Sequence, residues 1–427
     1  MTRHDHYGNP LSTRSDTAID AYDRGVHLFL GADYGAVEAF QSATLADPGF
    51  ALGHVGLARA SMMGGQMAQA KSAITRAQDL APGCDARERA HIAAFGLVLA
   101  GKPAEARAAV LAHVGEYPRD ALAAQLCSSV FGLIGFSGQV GREAELLAYT
   151  ARLLPHYGED WWMMSMHAVS LCETGQLGAS ADLMERALAI NPRNCNGAHF
   201  KSHAHYEAGE KTAGRAYLNG WLRDYDDRGL LHGHLSWHAA LWALQDGDDA
   251  AMWAIADARI APGGSKGLAI NTLTDTAALY YRADLAGFAV APERWAALSD
   301  FAAQFFPQTG QSFADIHAAL AHAMAGQGDR LAHIAETATG FAGDLVRPVA
   351  RAWGAMARED WAAALEDLVA VMATNERLGG SRAQRDLLEL SLANVLLKLG
   401  LSDEARRCLS MRRAVLAQAP PLAALNA

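Results

Sequence analysis

Cysteine is sparse and scattered in this sequence. Cys84, Cys127, Cys172, Cys195 and Cys408 are odd in number and never spaced as CxxC, which excludes a disulfide framework or a thiolate zinc site. Positive charge is short as well: 36 Lys and Arg stand against 46 Asp and Glu, a formal net charge of −10. That balance argues against a nucleic-acid partner, which needs a clustered basic surface, and against docking on an anionic membrane. The opening MTRHDHYGNPLSTRSD has no apolar core of the signal-peptide kind. One uncharged run is long enough to span a bilayer, Ala121 to Gly141, but it carries two Gln, three Ser and four Gly, so a buried repeat helix is the better expectation. No P-loop, HExxH or strand-flanked GxGxxG is present. Gly263-Gly-Ser265-Lys-Gly267 formally matches GxSxG, yet it follows a helix rather than a strand and reads as a loop. Asp224-Tyr-Asp226-Asp227-Arg-Gly229 lacks the later Glu of a calcium loop. The expected setting is soluble, reducing and cytoplasmic, with a small molecule or a protein as partner.

What the chain does have is a period. With 51% hydrophobic residues over 427 positions it can bury a large core. Pro48, Pro82, Pro118, Pro155 and Pro192 follow at intervals of 34, 36, 37 and 37 residues, and Pro262 comes 70 later. Each is expected to close a helix rich in small residues, as in MAQAKSAITRAQDLAP and GASADLMERALAINP. A period near 34 with two helices per unit and a proline stop is the tetratricopeptide signature. Counting Pro82 as position 32 puts Ala58, Ala70, Ile74 and Ala77 at positions 8, 20, 24 and 27, where the two helices approach closely. The unit ending at Pro192 supplies Ala168, Ser180, Met184 and Ala187 there, and the unit ending at Pro48 supplies Ala36, Phe40 and Ala43. Gly65, Gly175, Gly209 and Gly247 fall at the turn inside their units, as left-handed helix ends require.

The fold class that follows is all-α: a tetratricopeptide-like helical-repeat solenoid, a right-handed superhelix of helix pairs. Residues 1–16 form an opening segment and 17–262 the regular repeats. The period blurs over 263–309, which reads as an irregular segment placed to close the groove. Helix pairs resume over 310–416, and 417–427 form a loosely ordered tail. The whole is one continuous solenoid.

Particular motifs narrow the resemblance. Gly8-Asn9-Pro10-Leu11-Ser12-Thr13 with Ser15 resembles the opening motif of the tetratricopeptide repeat protein 38 family. His199-Phe-Lys-Ser-His203-Ala-His205 and His234-Leu-Ser-Trp237-His238 are similar to its His-rich helices. Asp275-Thr276 with Tyr281-Arg282, and Phe313-Ala-Asp315-Ile-His317, resemble its later motifs. One departure is His167, where the family has an aromatic residue. The resemblance spans most of the chain and implies a fold and a candidate site, not a reaction.

Seventeen histidines are present, and their placement matters more than their number. In this repeat the first helix lines a concave groove through positions 2, 5, 9 and 12. With Gly209 as position 15, His199 and His203 fall at 5 and 9; with Gly247 as position 15, His234 and Trp237 fall at 2 and 5, with His238 beside them. Both His199/His203 and His234/His238 are spaced i, i+4, one face of a helix each. Such pairs can share a transition metal, zinc, iron or copper, although hydrogen-bonded interface histidines give the same spacing. His205 points away from that face, and His167 and His232 are weaker candidates. Asp275 and Arg282, seven apart, share a helical face; Arg282 could clamp an anion and Asp275 orient a histidine or act as a base, or the two could be structural ion-pairing groups. Asp315 and His317 are candidates for acid–base work, with helix capping the alternative for Asp315. Trp162 and Trp237 are the tryptophans expected in the groove, while Trp161, Trp242 and Trp253 suit the core.

The groove so read is rich in imidazole and aromatic groups and poor in lysine, unlike one that grips a peptide backbone. The leading expectation is a small-molecule pocket in which His203, His238, Asp315 and His317 are the catalytic candidates. Trp237, Trp162, Asp275 and Arg282 bind substrate, and His199, His203, His234 and His238 hold the metal, with hydrolase or lyase chemistry. The alternatives are a non-catalytic scaffold binding a protein segment, and a homodimer that buries the histidine face.

Overall fold

The computed structural model describes residues 3–418 and 421–423, and it divides into two compact units. The first comprises Met1–Ser137, Glu143–Lys201 and Arg228–Leu230. Its helices are α1 (Asp16–Gly31), α2 (Ala36–Ala46), α3 (Ala51–Met63), α4 (Met67–Leu80), α5 (Ala86–Leu99), α6 (Pro103–Glu116), the single turn α7 (Ala121–Ala124), α8 (Arg142–Tyr157), α9 (Trp161–Glu173) and α10 (Leu177–Ile190). Helix α11 (Cys195–Ala208) begins in this unit and runs unbroken into the second.

The second unit comprises Gly138–Arg142, Ser202–Asp227 and Leu231–Ala427. After α11 it holds α12 (Lys211–Trp221), α13 (His232–Gln245), α14 (Asp249–Ile255), α15 (Ala269–Leu285), α16 (Pro292–Phe305), α17 (Ser312–Met324), α18 (Gly328–Thr337), α19 (Gly343–Ala357), α20 (Trp361–Met372), α21 (Arg382–Lys398) and α22 (Ser402–Arg412). The fold is an all-α array of helix pairs. The only strands among the described residues are Arg3–His4 and Pro10–Leu11, an antiparallel pair.

The signature positions do what their spacing requires. Ala58, Ala70, Ile74, Ala77, Ala168, Ser180, Met184, Ala187, Phe40 and Ala43 are all buried. At the α9–α10 crossing Ser180 Oγ donates to the Ala168 carbonyl at 2.7 Å, so the two positions that must be small also touch. Where a signature position is large, its neighbours shrink. A Cβ on Gly56 of α3 would lie 2.3 Å from Phe40 Cδ1, and one on Gly25 of α1 would lie 2.7 Å from the same atom. Gly65, Gly175, Gly209 and Gly247 have φ of 75°, 82°, 72° and 72°, the left-handed turn each unit needs.

The opening segment is stitched into the first unit. Asn9 Nδ2 donates to the Arg119 carbonyl at 3.1 Å, Arg119 Nε donates to the Tyr7 carbonyl at 2.7 Å, and the Ser12 amide donates to Glu88 Oε1 at 2.9 Å. Ser15 caps α1 by accepting from the Ala18 amide. The motif Gly8–Ser15 therefore has a structural use.

Three local expectations change. Residues 121–141 form no long helix: after α7 come a 3-10 turn, Gln125–Cys127, and a run of tight turns. A Cβ on Gly135 would sit 2.0 Å from the Val130 carbonyl oxygen, so the chain folds onto itself where only glycine fits. Among the described residues no helix is long and apolar enough to cross a membrane. Pro155 does not stop its helix but lies in the last turn of α8. Residues 263–309, where the period blurs, contain α15 and α16. Helix α15 is seventeen residues long, and the glycine-rich turn before it shifts the proline register. Helix pairs α17/α18, α19/α20 and α21/α22 occupy the later stretch. Of the tail, residues 419–420 and 424–427 lie outside the described residues.

Candidate functional site

Helix α13 is enclosed on every face: each residue from His234 to Leu244 is buried. A helix with no solvent side must place its polar groups against other polar groups, and α13 places its histidines against those of α11. The ring centroids of His203 and His238 are 4.6 Å apart and edge-on, and those of His234 and His238 are 5.1 Å apart. His199 precedes His203 by one turn of the same unbroken helix, so helix geometry fixes their spacing. Each of the four residues offers one ring nitrogen, these atoms lie within 4.8 Å of one another, and all four side chains are buried.

The tautomer of one member is set. His234 Nδ1 donates to Asp275 Oδ2 of α15 at 2.8 Å, which leaves the Nε2 lone pair as its ligand atom. A carboxylate behind a histidine is the usual arrangement for a metal-binding imidazole, because it fixes the ring and raises its basicity. Burial pushes the His203 imidazole down to about 3, helped by His234, and burial also holds His238 well below the ordinary histidine value. Both are neutral at neutral pH, the form that binds metals. These four imidazoles would hold a transition metal ion, since neutral ring nitrogens suit zinc, iron or copper.

The other sequence candidates find separate places. Trp237 and Trp162 are fully buried in different units rather than lining an open groove. Trp237 stacks on His234 with centroids 5.4 Å apart and planes 13° from parallel. Asp275 and Arg282 share α15 but not a partner. The Arg282 guanidinium is spent on Asp386 of α21 and on the carbonyls of Ala383 at 3.1 Å and Gln384 at 3.3 Å, with Cζ 5.5 Å from the Trp237 ring centroid. Its sequence role as an anion clamp gives way to an internal tie between α15 and α21. Asp315 lies in the first turn of α17, where it accepts from the Gly310 amide at 2.9 Å; burial pushes its carboxyl up to about 6. His317 diverges from it and donates from Nδ1 to the Phe313 carbonyl at 2.7 Å, while burial holds its imidazole down to about 4. His205 turns outward to Glu210 at 2.7 Å, and His167 Nδ1 meets Thr150 Oγ1 at 3.0 Å. Trp242 is buried, and Trp253 carries the Arg294 guanidinium over its ring.

Sequence reasoning missed Asp386, which also accepts from the Tyr206 hydroxyl at 2.5 Å. It stands 104 residues from Arg282, and nothing local in LLELS-type sequence marks it. Also missed was a buried network in the first unit. Asp120 accepts from Arg87 Nη1 at 2.7 Å, His113 Nε2 at 3.0 Å and His91 Nδ1 at 3.2 Å. Burial raises the Asp120 carboxyl, but His91, His113 and Arg87 outweigh it and hold it well below the usual range. Arg87 also donates to the Pro10 carbonyl at 2.7 Å, so this network clamps the opening segment.

No family model matches the chain. Similar solved structures include yeast Tom70, 14% identical with a TM-score of 0.33, over 97% of this chain and 96% of that one. The P58(IPK) TPR domain is 14% identical with a TM-score of 0.21, over 91% of this chain and 99% of that one. Naa15/Naa10 bound to HypK-THB is 12% identical with a TM-score of 0.25, over 92% and 58%. Likeness this slight bears on neither site nor function; the repeat architecture stands on the helix pairs and their buried signature positions.

Proposed function

We propose that this helical-repeat protein is a metalloprotein whose functional centre is one transition metal ion held by His199, His203, His234 and His238. The observation that carries the reading is the buried quartet with Asp275 fixing His234 at 2.8 Å. Zinc, iron and copper all suit neutral imidazole. Bound there with a coordination position left open beside the four imidazoles, the ion would supply Lewis-acid chemistry for hydrolase or lyase work on a small molecule. In this reading Trp237 walls the centre, and the tie from Arg282 to Asp386 holds α15 and therefore Asp275 in place. The resemblance to the tetratricopeptide repeat protein 38 family belongs to the same proposal, since the motifs that carry it bear the quartet. So does a reducing cytoplasmic setting, with which five free cysteines agree.

The test is elemental analysis of purified, untagged protein and of the His203→Ala/His238→Ala variant. About one equivalent of metal in the first and none in the second is expected, with the repeat fold kept by circular dichroism. Absence of metal from protein reconstituted with zinc, iron or copper would overturn the reading. A second reading, a scaffold for a protein segment, is favoured by the repeat architecture itself, because such arrays present extended binding surfaces. It predicts that His203→Ala/His238→Ala protein keeps its partner.

A further inference from the structure

A cleft whose lining includes none of the four clustered histidines lies in the second unit, where α14 ends. There the helix widens into a π turn, Ala256–Ile260, closed by the Ala261 amide donating to the Ala256 carbonyl at 2.9 Å. The cause is local. Pro262 cannot extend the helix, and the chain turns back so tightly that a Cβ on Gly264 would sit 2.0 Å from the Asp257 carbonyl oxygen. A π turn holds one residue more than an α turn and so moves the side chains that follow around the axis. Here it sets Ala258 and Arg259 on the wall of a cleft of about 390 Å³ whose other lining residues include Asn219, Leu222, Arg223 and Ile255. Arg259 also lines an adjoining cavity of about 190 Å³ with His232 and Lys266.

Charge accounting makes this cleft unusual. In the same unit Arg215, Arg294, Arg330, Arg351 and Arg377 are each paired with an aspartate, as expected where acidic residues outnumber basic ones. Arg223 and Arg259 are exposed, line the same cleft, and make no side-chain hydrogen bond or ion pair among the described residues. Lys266 adds a third cation nearby, shared with Asp227 at 2.5 Å. Beside the two guanidinium groups the walls are apolar, from Leu222, Ala254, Ile255 and Ala258.

We propose that this cleft binds a small organic phosphate, the phosphoryl oxygens held by Arg223 and Arg259 and the apolar body lying on Leu222 and Ile255. Guanidinium forks match phosphate oxygens two at a time, and the volume falls in the range of small-ligand pockets. A dianionic head is favoured over a carboxylate because two guanidinium groups line the same cleft, while the adjoining cavity holds Lys266 already paired with Asp227.

Calorimetric titration of the full chain with phenyl phosphate tests this, with benzoate and inorganic phosphate as separate arms. Phenyl phosphate is expected to bind, and to bind more tightly than either of the others. Arg223→Gln and Arg259→Gln are each expected to weaken it by about tenfold or more. Arg358→Gln, at another exposed arginine of the unit, is expected to leave it unchanged. Three results would overturn the proposal: no heat with phenyl phosphate up to roughly 10 mM, binding that survives both substitutions, or benzoate binding as tightly. Equal binding of inorganic phosphate would overturn the organic part of the ligand. Thermal melts of the variants, expected to match the parent because both arginines are exposed, separate lost binding from lost folding.

Discussion

Burying an imidazole costs free energy unless its nitrogens are engaged, and this chain buries many. His234 shows the engaged case, with Asp275 at its back. Asp275→Asn should fold normally yet bind the proposed metal about 10–100-fold more weakly, measured by competition with a chelator. His317 and His322 show the neutral case: burial holds each down to about 4, below the ~6.5 of an unfolded chain. Between those values the unfolded chain takes up protons that the native protein refuses. Stability from these two is therefore complete above about pH 6.5 and is lost as pH falls toward 4, by about 1.4 kcal/mol per pH unit for each. Urea midpoints across that range, compared with those of His322→Gln, should show the slope flattening in the variant. Asp120 acts lower still: its carboxyl is held well below the usual range, so its contribution is present above about pH 3.9 and lost beneath it. At this scale the sequence announced the four histidines through their i, i+4 spacing. It could not announce Asp386, because the pairing with Arg282 joins residues that meet only after folding, nor that Trp162 and Trp237 are enclosed.

At the scale of helices, spacing was a good guide wherever small residues recur with the proline period, because close crossing is a local demand repeated at each unit. It failed over 121–141, where apolar composition suggested a helix but glycine contacts dictate turns. Gly135→Ala tests that explanation. Its Cβ would collide with the Val130 carbonyl, and backbone cannot step aside as a flexible side chain can, so a loss of more than about 2 kcal/mol is expected in denaturant unfolding. Spacing also misplaced Pro155, since a proline in a final turn removes one hydrogen bond without forcing the stop. The crossing of α2 with α1 and α3 gives a sharper test. Phe40→Ala should cost about 3–5 kcal/mol, as a fully buried phenyl leaves a cavity. Gly56→Ala should cost about 1–3 kcal/mol through overpacking. Combining Gly56→Ala with Phe40→Leu should cost less than the sum of the two single changes, a coupling that a double-mutant cycle reads directly.

Across the whole molecule, an array in which each helix pair leans on its neighbours should respond to damage locally. Phe40→Ala is expected to speed amide exchange in α1 to α3 of the first unit while leaving α19 and α20 of the second at parent rates, measured by hydrogen exchange with mass spectrometry. A uniform rise in both units would show instead that the chain melts as one cooperative body. The lack of any alternating stretch foretold that the described residues build no sheet-based core, the short Arg3–His4 and Pro10–Leu11 pair aside. It did not foretell two compact units, because each is assembled from three separate stretches of chain and one division falls inside the unbroken helix α11.

The contact of Phe40 with Gly25 and Gly56 reaches beyond stability into descent. A ring that crowds two Cβ positions would make three separated positions inherit as a set: a lineage that trims the aromatic residue frees both glycines to drift, and one that keeps it disfavours alanine at either. The trio is thus a fingerprint by which relatives too diverged for overall identity to register could still be traced.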